Sequence, residues 1–157
     1  MRVLGIDPGL ERVGWAVVED HARTFQPLGW GLISTDSGLA PASRLQAVYR
    51  RMRELIADRP CDLAVVERLF FTRNTSSAMA VAQARGVILL ALADVSWPIL
   101  EPNPMQIKQA VTGYGKADKM QMTAAVRRLL AMGDEPMVDD TADALAGALY
   151  GLTQRGA

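Results

Sequence analysis

The chain has 157 residues, half of them apolar, enough for one continuous core without staples and too few for a two-domain enzyme. Its 17 Lys plus Arg balance 17 Asp plus Glu, which excludes a highly basic nucleic-acid coat protein and an acidic disordered tail. A lone cysteine, Cys61, and a lone histidine, His21, exclude an internal disulfide and a structural zinc site of soft ligands, and they fit a reducing cytosol. No apolar run nears the roughly 20 residues of a membrane helix, and the stretch from Met1 to Asp7 is too short before its charge for a signal peptide. The expectation is a cytoplasmic single domain over residues 1–157, with no repeat, linker or membrane contact.

Arg2 to Ile6 is β-branched and apolar and runs into Asp7-Pro8-Gly9, where Pro and Gly stop a ladder, so a buried first strand is predicted. Val13 to Val18 forms a second strand, Glu19 to Arg23 a polar turn, and Phe25 to Ile33 a third strand; connections this tight make the three antiparallel. From about Pro41, apolar Leu45, Val48, Tyr49, Met52, Leu55 and Ile56 recur at spacings of three and four, an amphipathic helix. Leu63 to Glu67 is apolar without alternation, as a parallel strand covered on both faces is, and the helix before it serves as the crossover.

A helix from about Thr75 to Ala93 follows, with Asn74 as N-cap, then a short strand over Trp97 to Leu100. Pro102 and Pro104 lead into a brief helix over Met105 to Val111, and Gly113 and Gly115 mark a loop. Met120 to Met132 reads as a helix with Val126, Leu129 and Leu130 inward, and a last helix runs from Asp139 to about Leu152. The order describes an α/β protein, a mixed five-stranded sheet with helices on both faces, in ribonuclease H-like sequence. Trp15, Trp30, Trp97 and the eight Met residues are assigned to core and gap filling.

Asp7 ends the first strand and Glu67 the fourth; as parallel neighbours both emerge at one sheet edge, where ligands bind in such sheets. Asp140 and Asp143, three apart, share one face at the start of the last helix. Four carboxylates converging raise one another's pKa, a divalent cation relieves them, and oxygen-only ligands point to magnesium or manganese. Taken singly, each has a plainer role: Asp139, Asp140 and Asp143 suit a helix N-terminus electrostatically, Asp7 suits a turn, and Glu67 suits a strand end reaching water. Between Arg68 and Arg85 lie three Arg and no acid, and Lys108, Lys116 and Lys119 flank the glycine loop; these neutralise phosphates or simply solvate exposed faces. Phe70 and Phe71 stack on an unpaired base or pack inward. Ala78, Ala82 and Gly86 form a small-residue strip suited to a dimer interface or to packing on the sheet.

Gly5-Ile6-Asp7-Pro8-Gly9, Val66-Glu67-Arg68-Leu69-Phe70, Gln83-Ala84-Arg85-Gly86 and Asp140 through Ala146 together resemble, in order, the motifs of the bacterial RuvC Holliday junction resolvases. The likeness runs from residue 2 to about 150 and includes Lys108-Gln109, Gly113-Tyr114-Gly115 and Lys119. It implies a homodimer with ribonuclease H-like fold that nicks two strands of a four-way DNA junction symmetrically, leaving 5′-phosphate and 3′-hydroxyl ends, in recombination and repair. The implied metal is magnesium, two ions per site with manganese a plausible substitute, held by Asp7, Glu67, Asp140 and Asp143. Asp7 would bridge the ions, and no histidine base is needed.

The resemblance further implies Lys108 or Lys119 at the scissile phosphate, Phe70 as an aromatic wedge, pairing through the Ala78, Ala82, Gly86 helix, and branch-migration motor partners of the RuvA and RuvB type. The DNA-contact set is then Arg68, Phe70, Phe71, Arg73, Asn74, Arg85, Lys108, Lys116 and Lys119. A weaker likeness, of Gly5 to Gly9 with Gly14 to the phosphate loop of sugar kinases and actin-like ATPases, needs a second domain that 157 residues do not supply. A non-catalytic junction-binding module would have no use for the four acids, which alone do not exclude an RNA–DNA hybrid as substrate.

Overall fold

Three strands joined by tight turns fold back antiparallel, and a chain that spends a helix between strands returns parallel. In the computed structural model, which describes residues 1–22, 24–69, 75–134 and 136–154 (the side chains of 75–77 excepted), both rules hold. β1 (Arg2–Asp7), β2 (Arg12–His21) and β3 (Thr24–Ser34) pair antiparallel, while β4 (Leu63–Val66) lies parallel to β1 and β5 (Ile99–Leu100) parallel to β4. The sheet order is β3-β2-β1-β4-β5, with α1 (Pro41–Asp58) and α2 (Thr75–Ala93) as the crossovers. This is the ribonuclease H-like mixed sheet that the sequence predicts.

β2 is longer than predicted: pairing runs through Glu19 and Asp20 to His21, opposite Thr24. The irregularity falls between Val17 and Val18, where the partner strand steps from Gly29 to Pro27. A proline, lacking an N–H, is tolerated at such a step on the outermost strand. On that edge strand Trp30 is 44% exposed, and Met79, Met105 and Met120 are 60–80% exposed, so these four lie outside the core to which the sequence reading assigned them. Met105 and Met120 stand in the first turns of α3 (Pro104–Thr112) and α4 (Lys119–Leu129). α4 stops short of the predicted Met132 because Ala131 takes a left-handed φ of 49°.

Alternation sorts the two cores. Leu4, Ile6, Ala64 and Val66 face Val48, Met52, Ile88 and Leu92 of α1 and α2. Val3, Leu63 and Val65 face α5 (Asp139–Thr153), with Leu145 and Leu149 fully buried against them. Each such aliphatic side chain contributes about 1.5–3 kcal/mol by leaving water.

On this second face α5 lies directly on the strand backbones. A Cβ on Gly5 would sit 2.0 Å from the Ala144 carbonyl oxygen, and one on Gly14 2.0 Å from that of Asp140. Glycine at these two positions is what lets the helix come down onto the sheet.

Candidate active site

The period of two that buries Val3 also sends Asp7 to the α5 side, and the one that buries Leu63 and Val65 sends Glu67 to the same side. The Glu67 N–H donates to the Ile6 carbonyl at 3.3 Å, continuing the β1–β4 ladder one step beyond Ile6 and Val66. Asp7 and Glu67 therefore leave adjacent parallel strands at their carboxyl ends. The third contribution comes through Gly14, which pairs with Asp7 across β1 and β2 and seats the Asp140 backbone. Asp143 follows three residues on along α5. Three elements thus bring the four predicted acids together.

The electrostatics record that convergence. Asp7 is pushed up to about 8, first by burial, then by Asp143, Glu67 and Asp140, with Lys119 pulling it back. Glu67 is pushed up to about 7 by burial and by Asp143, opposed by Lys108. Asp143 still has solvent-accessible surface, yet crowding by protein around its carboxyl raises it, partly offset by Lys119. Such mutual elevation marks a site in which negative charge is waiting for a counter-charge.

Both predicted lysines reach this site. A cavity of about 170 Å³ is lined by Glu67, Lys108, Lys119, Thr123, Asp139 and Asp143 over an apolar floor that includes Ile107 and Met122. Lys108 comes from α3 and Lys119 from the first position of α4. Each helix is started by a reciprocal capping box, Asn103 with Gln106 and Asp118 with Gln121, which fixes where its lysine begins. Gly113, at a left-handed φ of 77°, ends α3 and turns the chain toward α4. Lys119 Nζ donates to Asp139 Oδ2 at 2.8 Å, holding Asp139 below the usual carboxylate range and Lys119 above that of a free amine.

Sequence reasoning missed Asp139 as more than a helix-end acid, and it missed Arg12, whose Nε lies 3.1 Å from Asp140 Oδ2. Arg85 is engaged within the protein: its Nε donates to the Glu67 carbonyl at 3.1 Å, and its guanidinium pairs with Glu101. Arg68 and Lys116 are exposed and outside the cavity lining. In α2, Ala84, Ile88, Ala91 and Leu92 face the core, whereas Ala82 and Gly86 are exposed and Ala78 is half-buried. Among the described residues a Cβ on Gly86 would meet nothing within 4 Å, so at Gly86 the small-residue strip does not pack on the sheet. Phe70, Phe71, Arg73 and Asn74, the predicted N-cap included, lie outside the described residues.

The donor set fits a hard divalent cation. All four candidates are carboxylates, and the buried Asp140 Oδ2 makes no hydrogen bond despite its closeness to Arg12. Among the described residues no three His, Cys, Asp or Glu side chains already form a compact metal cage. What fits the ion is the chemistry of the coupled, part-buried acids.

A mixed sheet of this order, with acids at the carboxyl ends of its parallel strands and a helix laid against its glycines, defines a ribonuclease H-like nuclease. The family model described as crossover junction endodeoxyribonuclease RuvC matches residues 3–150. A relative of that name from Synechococcus sp. (strain WH7803) is 49% identical over 155 residues, covering 99% of this chain and 100% of the relative. Thermus thermophilus RuvC superposes with a TM-score of 0.86 at 32% identity, covering 96% of this chain and 92% of that one. The same protein in complex with a Holliday junction substrate gives 0.89 at the same identity and coverage. The chain belongs to the RuvC family of crossover junction endodeoxyribonucleases. It is a nuclease that hydrolyses phosphodiester bonds, and its family is metal-dependent. Among the described residues no helix is long and apolar enough to cross a membrane.

Proposed function

We propose that this chain, as a single domain over residues 1–157, resolves four-way DNA junctions in the cytoplasm by paired symmetric nicks. The observation that carries the reading is the gathering of Asp7, Glu67, Asp140 and Asp143 from three elements beside a cavity walled by Lys108 and Lys119. Asp7, Glu67, Asp140 and Asp143 are the residues that hold two magnesium ions, with manganese as substitute. Bound there, the ions supply activation of the attacking water and stabilisation of the leaving oxygen.

The protein's own groups do the rest. The strand ends and the seat of α5 on Gly14 set where the acids stand, and Arg85 holds the Glu67 carbonyl through its Nε. Lys119, steadied by Asp139, and Lys108 offer positive charge where it develops on the phosphate, which favours the transition state over the bound substrate. Arg68, Arg73, Asn74 and Lys116 extend the contact to flanking phosphates, and Phe70 with Phe71 stacks on bases at an opened crossover.

Dimerisation runs through the outward strip of α2 at Ala78, Ala82 and Gly86, and a two-fold enzyme then sets two identical sites on a two-fold junction. Branch-migration motors of the RuvA and RuvB type are its partners. Cleavage of a mobile four-way junction, a linear duplex and an RNA–DNA hybrid in parallel with magnesium tests the reading. Paired nicks in the junction and little product from the others are expected; equal cutting of duplex, or a preference for hybrid, overturns it.

A further inference from the structure

Asp140 borders a second cavity, whose lining shares no residue with the first and includes neither lysine. This one, of about 310 Å³, is lined by Arg12 and Arg44 together with Gly9, Glu11, Ala80 and Asp140. Both cavities border the start of α5, one touching Asp139 and Asp143 and the other touching Asp140.

The two arginines are placed by local structure. A Cβ on Gly9 would sit 2.2 Å from the Arg12 carbonyl oxygen, so the tight return after Asp7-Pro8 requires glycine and delivers Arg12 at the start of β2. Arg44 Nε donates to Thr35 Oγ1 at 2.8 Å, and the Thr35 hydroxyl donates to the Leu10 carbonyl at 2.6 Å, which ties α1 to the same return. Among the described residues Arg44 makes no ion pair with a carboxylate, and Arg12 makes one, with Asp140, while also acting at longer range on Asp139.

The chemistry selects the ligand. Two guanidinium groups beside a wall of Gly9 and Ala80 offer donors to the oxygens of a tetrahedral anion, the recognition that arginine performs for phosphates. Among the described residues the lining holds no aromatic side chain, and its side-chain donors are the two arginines. Among the described residues Glu11 is the one further acid in the lining, and it disfavours a free, doubly charged phosphate more than a singly charged phosphodiester.

We propose that Arg12 and Arg44 form a second phosphate subsite that grips the DNA backbone beside Asp140, apart from Lys108 and Lys119. The inference rests on the junction-cutting reading above and adds to it the path of the strand: from the lysine cavity, across the acids, to the arginine cavity. Arg12 is half-exposed and pairs with Asp140, one of the residues that would hold the cation, so with that carboxylate engaged its guanidinium would be free to turn to a phosphate.

The test is anisotropy of a labelled four-way junction in calcium, across a series of salt concentrations, with the parent, Arg12→Gln, Arg12→Lys, Arg44→Lys and, as control, Arg50→Gln on the outer face of α1. Arg12→Gln is expected to bind about three- to tenfold more weakly at low salt and to lower the slope of log affinity against log salt by about one. Arg12→Lys should restore the slope, Arg44→Lys should keep the slope while losing affinity through its poorer fork geometry, and Arg50→Gln should match the parent. A parent that binds the junction alongside an Arg12→Gln slope equal to its own, whether or not that variant loses affinity, overturns the subsite alone. A parent that does not bind the junction overturns the functional reading and the subsite with it.

Discussion

Asp7 and Glu67 leave the ends of strands buried along almost their whole length, whereas Lys108 and Lys119 ride on two short helices near the surface. The acids are placed by backbone against backbone, through Gly14 under Asp140 and the β1–β4 ladder. Lys119 is placed by one ion pair with Asp139, in which both side chains are more than two-thirds exposed. Exposed pairs are weak and screened by salt, while close packing has no give. The molecule therefore separates a rigid half, which sets distances among the acids, from a yielding half, which carries the lysines.

Asp7→Asn should break the rigid half outright. Removing the central charge is expected to reduce nicking of a four-way junction in magnesium by about a thousandfold or more, with folding and junction binding retained by circular dichroism and gel shift. Undiminished cleavage would remove Asp7 from the site.

The next largest effect concerns the metal-free protein. Asp7 at about 8 and Glu67 at about 7 hold their protons more tightly when folded than unfolded. The unfolded chain releases those protons near its ordinary carboxylate values, so stability is full below about pH 4 for these groups and falls as pH rises toward 8. In EDTA the melting temperature should decline across that window by an amount worth a few kcal/mol, and Asp7→Asn or added magnesium should flatten the decline.

Gly14→Ala probes the same half mechanically. The new methyl must push Asp140 and the start of α5 away, which is expected to cost about 1–3 kcal/mol in thermal unfolding and to raise the magnesium concentration needed for nicking. Gly86→Ala, with open space around it, should do neither to an isolated chain.

The yielding half gives the smallest effect. Lys119→Ala should lower the rate of nicking about tenfold or somewhat more, with junction affinity changed far less and melting unchanged. Equal losses in rate and affinity would assign Lys119 to ordinary backbone contact.

Much of the rigid half was legible in the sequence because its signals are local. Pro8 and Gly9 end β1 behind Asp7, and the unalternating run Leu63 to Val66 announces a covered strand. The helix from Thr75 to Ala93 matched its predicted bounds. What stayed hidden depends on distant partners. Reading Arg85 as a phosphate contact came from the absence of acids between it and Arg68, yet Glu101, which pairs with it, stands beyond that window. Asp139 looked like a helix-end acid until α4 brought Lys119 to it, and Arg12 carried no signal until α5 brought Asp140 to it. Trp30 reads as core by composition and is turned outward because β3 is the sheet's edge, a fact of topology rather than of residue type.

The contact of α5 with bare backbone at Gly5 and Gly14 bears on how this protein tolerates mutation. In a saturation library, positions 5 and 14 should be nearly monochrome among survivors, while 113 and 133, which have open space around them, differ from each other only through the backbone twist that 113 requires. Ranking those four columns by diversity would read the helix seat from survival counts alone, without a single coordinate.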